Sequence, residues 1–588
     1  MKLPLKATGF SSSRRRFVTG LSAVGALSFV PSFASAHTHQ PDVLRGRVFD
    51  LTIGHAAVNF TGVERFATAV NGSVPGPTLY WQEGEEITIR VTNTLPVISS
   101  IHWHGIILPT GMDGVPGLSF EGIPPGQTFT YQFKAQQHGT YWYHSHSGFQ
   151  EQTGLYGAIV VLPKEQEAVS YDRDHVIMLS DWSDEAPEDI YANLKKSADF
   201  YVADKRTLGD IWADVQDKGI MQTWQERAMW NQMRMSDRDI SDVTGRTYTF
   251  LMNGRSPDDS WLGIFKKGEK VRLRFINGAA MTIFDVRIPG LKMTVVAADG
   301  QLVQPVKIDE FRIATAETYD VIVEPDGSQA YTVFAQSIDR SGYARGTLTS
   351  DVNRVADVPK MDPAPVLTHR DMGMSMEHDM SGMDHSQHGM RSMDYKPKAK
   401  NLGKAGFGSN EAIGHMSSEL GAHVDMQAQM PMNGVSDPGI GLRHHQHRYN
   451  RRVLKYSDLR NLYETEDQRQ PSREIQLHLT GNMHRYMWSI NGIAASKASS
   501  IELTYGERVR FTLVNDTMMT HPIHLHGMWS ELETGDPKYL PRKHTIIVQP
   551  GSKISYLVTA DALGTWAYHC HLLYHMPGMF RSIVVKEA

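Results

Sequence analysis

The sequence predicts a mainly β protein built from three copies of one antiparallel sandwich, with a small helical insertion in the second copy and a long connection before the third. Three observations predict it. A strand motif recurs at Gly84 to Asn93 (GEEITIRVTN), Gly268 to Asn277 (GEKVRLRFIN) and Gly506 to Asn515 (GERVRFTLVN), and repetition at this level means repeated domains. Each copy alternates apolar and polar residues, the period of a strand with one face in a core. An Asn-Gly turn signal (Asn71-Gly72, Asn253-Gly254, Asn491-Gly492) precedes each copy by 13 to 15 residues. Further alternating runs at 128–133, 319–323 and 553–558 fill out the sandwiches.

Taken in order, the first 36 residues read as an address. Ser13-Arg14-Arg15-Arg16-Phe17-Val18 leads into an uncharged stretch that ends Ala34-Ser35-Ala36 before His37. Twin arginines, a modest apolar region and an Ala-x-Ala site form a bacterial twin-arginine export signal. A basic tail before a membrane anchor is the alternative, but the stretch is Gly/Ser-rich and short for a span. The expected location is the periplasm of a Gram-negative bacterium, reached by a folded chain with no membrane span. Domain 1 is then 37–165 and domain 2 is 166–354. Within domain 2, residues 188–238 lack alternation and carry spaced apolar side chains (Ile190, Leu194, Ile211, Trp212, Val215, Trp224), the helical insertion. Residues 355–470 are Pro/Gly/polar with few aliphatics and read as a flexible Met/His-rich linker. Domain 3 is 471–588.

Composition narrows the function. A net charge of −5 argues against a nucleic-acid partner. A single cysteine excludes an intramolecular disulfide, and in an oxidising compartment it must be buried or ligated. The unusual counts are 27 His and 29 Met.

The one cysteine, Cys570, sits between His569 and His571, with His575, Met576 and Met579 close by. A thiolate, several imidazoles and a thioether together suit a soft redox metal, copper above all. The stretch Gly564 to His571 (GTWAYHCH) matches Gly139 to His146 (GTYWYHSH), and His102-Trp103-His104-Gly105 matches His524-Leu525-His526-Gly527. The middle copy continues Asn277-Gly278-Ala279-Ala280-Met281 without histidine, so domain 2 reads as a spacer between two metal-bearing domains. Random placement of 27 His gives about one His-x-His, against six in this chain. Two of the six, His37/His39 and His445/His447, fall in the terminus and the linker, where coincidence suffices. The other four occupy matched positions in two repeat copies. Residues i and i+2 of a strand share a face while i+1 takes the other. The imidazoles of His569 and His571 can thus face one site while the Cys570 thiolate faces another, a short covalent wire between a single copper and a copper cluster.

These motifs, His521-Pro522-Ile523-His524-Leu525-His526-Gly527 and His569-Cys570-His571-Leu572-Leu573-Tyr574-His575 above all, resemble those of the multicopper oxidases. The export signal, the run from His102 to Pro109, Met112-Asp113-Gly114-Val115-Pro116-Gly117 and the Met/His-rich linker resemble the periplasmic copper-resistance oxidases of CopA type. The resemblance implies cupredoxin-like Greek-key sandwiches and four coppers. His521, Cys570 and His575 would hold the type 1 ion, with a Met as weak axial ligand. His102 and His524 would hold type 2. His104, His144 and His571 would serve one type 3 ion; His146, His526 and His569 would serve the other. The family places its axial Met ten residues after the Cys, where this chain has Phe580. Met579 is the favoured axial ligand, with Met576 or none as alternatives. The implied cycle has four one-electron oxidations, transfer along Cys570 with His569 and His571, and reduction of O₂ to water. Asp113 is a candidate proton relay, or equally a turn residue.

The substrate is read from residues 372–393, which carry thioethers at Met372, Met374, Met376, Met380, Met383, Met390 and Met393. Thioethers prefer Cu(I), and a mobile segment can gather several around one ion; incidental methionines in a linker are the alternative. Met426, Met430 and Met432 with His415 and His423 repeat the theme. The expected activity is oxidation of Cu(I) with O₂ by a monomer that receives copper from periplasmic carrier proteins. A laccase-type phenol oxidase would show an open organic pocket near His521 and His575, and a copper-sequestering protein would need only the Met/His segments.

Overall fold

The three repeated strands occupy the same place in the same topology. The structure, a computed structural model, describes residues 41–202, 205–233, 236–373, 409 and 412–588. Strand Glu86–Asn93 pairs parallel with Val48–Val58 and antiparallel with Thr128–Lys134. Val271–Asn277 does the same between Arg173–Trp182 and Thr318–Val323, and Arg508–Asn515 between Arg473–Asn482 and Ser552–Thr559. Each third of the chain adds a second, five-stranded sheet. In the first third its order ends with Tyr156–Leu162, Gly139–His144 and His102–His104. In the last third it runs Ile501–Thr504, Phe580–Lys586, Gly564–Cys570, His521–Leu525, Thr545–Val548. The fold is mainly β, as the sequence predicts.

The repeat extends to single hydrogen bonds. Asn71, Asn253 and Asn491 have φ of 51°, 51° and 53°, and each is followed by a glycine at positive φ, the backbone of a type I′ turn. Their Oδ1 atoms accept from the backbone N–H of Thr52, Met178 and His478, each at 2.7 Å. At the other end of the motif the buried Asn93, Asn277 and Asn515 donate Nδ2–H to loop carbonyls and accept an N–H two residues on. A buried amide that satisfies a loop's backbone fixes that loop. In the first and third copies the fixed loop delivers His102 and His524.

Strand Val271–Asn277 departs from the alternation expected of it, because every residue in it is buried. The polar face lies under the first domain. Arg272 donates to Asp320 and Glu167, and Arg274 to Asp174, Asp320 and Thr140. These buried arginines are tolerated because their charges are paired and hydrogen-bonded.

The helical insertion is present as α1 (Pro187–Lys196), α2 (Leu208–Lys218) and α3 (Ile220–Met233). Proline at the first position starts α1, which buries Ile190 and Leu194. Thr207 and Asp210 form a capping box that starts α2.

The linker differs from expectation. Residues 374–408, with Met374, Met376, Met380, Met383, Met390 and Met393, lie outside the described residues, as does the export signal. Met372 does not belong with them: it is fully buried in the core, where no solvent-borne ion reaches its sulfur. Residues 412–470 are packed, with Ile413, Ala428, Val435, Ile440, Leu454 and Leu459 buried. Met432–Asn433 pairs with Ser552–Thr559. These apolar residues enter the core singly from irregular backbone, so no periodicity betrays them. Met426 is buried too, leaving Met430 as the exposed member of the second methionine group.

Candidate metal centre

The histidine motifs meet across strand pairs. His102 lies opposite His144, and His524 opposite His569, with Ile523 opposite Cys570. Donor atoms come within 4.8 Å of one another in four groups: His102/His104/His524, His104/His144/His571, His146/His526/His569 and His521/Cys570/His575. The first three groups adjoin, since His104 is shared and the His104 and His524 rings stack at 3.7 Å. The fourth lies on the other face of strand Gly564–Cys570. There Cys570 Sγ is 3.6 Å from His521 Nδ1 and 3.9 Å from His575 Nδ1, and the two nitrogens are 3.2 Å apart.

In most of the rings one nitrogen is braced and the other is left facing its group; His571 is the exception, with neither ring nitrogen hydrogen-bonded. His521 donates from Nε2 to Thr517 Oγ1, and His575 from Nε2 to Asp242 Oδ2, both at 2.7 Å. Both therefore present Nδ1 beside the thiol. On the cluster side the pattern reverses. His102 donates from Nδ1 to the Asp113 carbonyl, His524 to the His544 carbonyl, His526 to Asp113 Oδ2 and His569 to the Cys570 carbonyl. His144 Nδ1 is 2.7 Å from Glu151 Oε2. His104 is turned over: Nε2 meets Thr545 Oγ1 at 3.2 Å and Nδ1 faces inward. Buried nitrogens of His102 (Nε2), His104 (Nδ1), His144 (Nε2), His524 (Nε2) and His571 have no hydrogen-bond partner. Orphaned buried imidazole nitrogens with their opposite nitrogens anchored are what metal ligands look like.

The electrostatics agree. Burial, reinforced by neighbouring imidazoles, pushes His104, His144, His146, His524, His526 and His571 well below the usual histidine range, and burial takes His569 down to about 4. All are neutral imidazoles at physiological pH, the form that binds a metal ion. Burial pushes the Cys570 thiol up, so a bound cation is needed to make the thiolate its resting form. One thiolate with two imidazoles suits copper, and a nitrogen-only cluster beside it suits the same metal.

Three models of the multicopper oxidases match the chain, over residues 52–166, 173–353 and 468–588. The chain belongs to the multicopper oxidase family. It is a copper-dependent oxidoreductase that uses O₂. The oxidase is 54% identical to Copper resistance protein A of Escherichia coli, over 98% of this chain and 99% of that one. It is 27% identical to the multicopper oxidase MmcO of Mycobacterium tuberculosis, with 94% and 90% covered. A laccase from Botrytis aclada superposes with a TM-score of 0.60 at 20% identity, covering 92% of this chain and 88% of that one. Among the described residues, no helix of the oxidase is long and apolar enough to cross a membrane.

All ten histidines singled out from the sequence, and Cys570, stand in these groups. Asp113 is the turn residue, one of its two sequence readings: its N–H closes the turn at Thr110–Met112, and its side chain and carbonyl also hold His526 and His102. Met579 is fully buried, and its carbonyl accepts the Cys570 N–H at 3.0 Å. Phe580 lies opposite His569 and stacks on its ring. Phe580 therefore shares the imidazole face of the strand, and Met579 lies in the bend just before it. Of the two coincidental pairs, His445 is an ion-pair partner of Glu310 at 2.8 Å.

Sequence reasoning missed Thr517, Glu151, Asp242 and the contribution of the middle domain. The spacer reading explains why that domain has no motif histidines, but not its carboxylates. Asp242 holds His575 and also accepts from Tyr486, and burial pushes it up to about 7. Asp299 Oδ2 accepts the N–H of His544 and of Thr545, both at 3.1 Å. Those two residues brace His524 and His104.

Proposed function

We propose that this oxidase oxidises Cu(I) to Cu(II) and passes the electrons to O₂, four Cu(I), one O₂ and four protons giving four Cu(II) and two waters. The observation that carries the reading is strand Gly564–Cys570, which turns one thiol to one group of donors and the two flanking imidazoles to the groups behind it. His521, Cys570 and His575 would hold a type 1 copper, with Met579 as axial ligand; His102 and His524 a type 2 copper; His104, His144 and His571, and His146, His526 and His569, the two type 3 coppers. Four coppers so bound supply one-electron acceptance at the thiolate site and reduction of O₂ at the other three. The chain's residues orient the ligand rings through Asp113, Thr517, Thr545, Asp242 and Glu151, and they exclude bulk water, since the cluster histidines are at most partly exposed. Asp113, whose Oδ2 lies 2.9 Å from His526 Nδ1, would hold and deliver protons to the O₂-reducing groups.

Cu(I) is favoured over a phenol by burial as well as by the methionines. His521 and His575 are both 0% exposed. Trp488 stacks on His575 at 4.0 Å, and Lys195 of α1 bonds to the Tyr486 carbonyl over it. An organic substrate has no ligand edge to touch, whereas a small ion needs only donors near this cover.

The test compares O₂ uptake with Cu(I) and with 2,6-dimethoxyphenol, using enzyme from the periplasmic fraction to which the twin arginines would send it. Recovery only from the cytoplasm would refute export. Removing residues 374–393, which spares the buried Met372, should cut kcat/KM for Cu(I) about tenfold or more and leave the phenol unchanged. Equal losses, or none, would take the thioethers out of the reaction. Asp113→Asn should slow both substrates about a hundredfold, as loss of a proton donor does. Unchanged phenol turnover would limit Asp113 to its turn.

The axial assignment has its own check. Met579→Leu should shift the visible spectrum and raise the type 1 potential, because the axial ligand tunes both. An unaltered spectrum and potential would rule Met579 out.

A further inference from the structure

His415, Glu419, His478 and Asp516 form a buried group, their donor atoms within 4.8 Å of one another. They come from three elements. His415 precedes and Glu419 ends the turn Ser417–Glu419, His478 is on strand Arg473–Asn482, and Asp516 follows strand Arg508–Asn515. His478 Nδ1 lies 2.6 Å from Asp516 Oδ2 and 3.7 Å from Glu419 Oε2; His415 Nδ1 lies 3.0 Å from Glu419 Oε2 and 3.6 Å from Asp516 Oδ2. Both carboxylate side chains are 0% exposed.

The charges in this group do not balance on their own. Two ionised carboxylates face two imidazoles, and among the described residues no lysine or arginine pairs with either acid. Leaving two negative charges buried costs several kcal/mol, so the group takes up either two protons or one divalent cation. Three details favour the cation. A neutral His478 that donates Nε2–H to Gln476 Oε1, 3.2 Å away, would turn an unprotonated Nδ1 to Asp516 Oδ2 at 2.6 Å, a contact that needs a cation or a second proton between the two atoms. Asp516 Oδ1 is occupied by the Ala428 N–H, which aims Oδ2 at the imidazoles. Glu419 Oε1, wholly buried in the same group, has no hydrogen-bond partner. A set of only hydrogen-bonded ions would not strand a carboxylate oxygen.

We propose that these four side chains are a fifth metal site, for a divalent ion of the Zn(II) or Cu(II) kind, bound by two Nδ1 atoms and two carboxylate oxygens. Two imidazoles and two carboxylates make a four-coordinate set for such ions, and the absence of sulfur sets the site apart from the thioethers that favour Cu(I). His415, 13% exposed, is the way in. The site fastens the chain that follows the methionine-rich stretch to domain 3. Asp516 adjoins Thr517, which holds His521.

Zn(II) is the probe, added to the copper-loaded full chain, with zinc and copper counted after gel filtration. Wild type should retain one zinc more than His415→Gln or Glu419→Gln, with copper content and the blue absorption equal in all three. Equal zinc in wild type and variants would overturn the proposal. A second measurement needs no variant: zinc should protect His415 from diethylpyrocarbonate in the wild-type chain, read by peptide mass, and the bound zinc should show only nitrogen and oxygen neighbours in X-ray absorption. Unprotected His415, or sulfur in the first shell, would equally overturn it.

Discussion

Replacing Cys570 by serine should leave a folded protein that is colourless and inactive, with Cu(I)-driven O₂ uptake down by at least about a thousandfold. Folding survives because the change is nearly isosteric and the new hydroxyl can donate to His521 Nδ1 or His575 Nδ1, which flank the sulfur at 3.6 and 3.9 Å. A satisfied buried hydroxyl costs about 1 kcal/mol or less. The backbone bond from Cys570 N–H to the Met579 carbonyl is untouched. Activity does not survive, because an alkoxyl oxygen is neither soft nor acidic enough to replace the thiolate. The histidine-only groups keep every donor, so the variant should hold one copper fewer than wild type. Metal analysis, the visible spectrum and an oxygen electrode check this together. A variant that stays blue or turns over Cu(I) would remove Cys570 from the electron path.

Lys543→Met should produce the largest loss of stability and should also loosen the copper braced by His524. Lys543 Nζ sits 3.0 Å from both Asp299 Oδ2 and Glu317 Oε1, with all three side chains 0% exposed. Although burial opposes their charges, Asp299 and Glu317 push Lys543 up, and His544 and Lys543 hold Asp299 down. Methionine fills the same space, so the cost is electrostatic: two buried carboxylates without a cation, about 3–5 kcal/mol. Asp299 is also the acceptor for the N–H groups of His544 and Thr545. Its displacement should weaken copper binding about 10–100-fold, the usual effect of losing a ligand's support. The sign with pH follows from the shifts. The lowered Asp299 contributes stability above its unfolded value and loses it as pH falls through the folded one. The raised Lys543 contributes below its unfolded value and loses it only at strongly alkaline pH. Glu317 is instead raised by burial, so its ionisation is opposed as pH rises past its unfolded value, and the penalty should be full at and above neutral pH and shrink as the carboxylates protonate in acid. Denaturant unfolding from acid to neutral pH, with the copper count, checks both effects; a penalty under about 1 kcal/mol at pH 7, the size of a surface pair, would refute the buried-triad account.

What could be read in the sequence was whatever repeats or has a short period. The three strand motifs, their Asn-Gly turns and the paired His-x-His motifs all obey a rule of spacing, and each marks an element of the structure. The supporting groups obey none. Asp242 reaches His575 across 333 positions, and Asp113 reaches His526 across 413. Such contacts are set by how domains dock, which no local pattern encodes. The packed linker escaped for a related reason. A composition poor in aliphatics signals mobility only if the few apolar residues stay in solvent, and Ile413, Val435 and Ile440 are instead buried one at a time. Thr517 was closer to being legible, since it lies within the turn that Asn515 fixes in each repeat.

The division of donors between the two ends of the chain bears on how the protein is made. Every one of the four donor groups includes a residue at or beyond position 521. A nascent chain emerging from the ribosome already carries His102, His104, His144 and His146, yet it holds only open pairs. The set His102/His104/His524 closes only once His524 has been made, and the other three only once residues 569–575 have followed. A chain that ends before His524 therefore lacks every closed donor set, and one that ends before His569 has only the set that His524 closes.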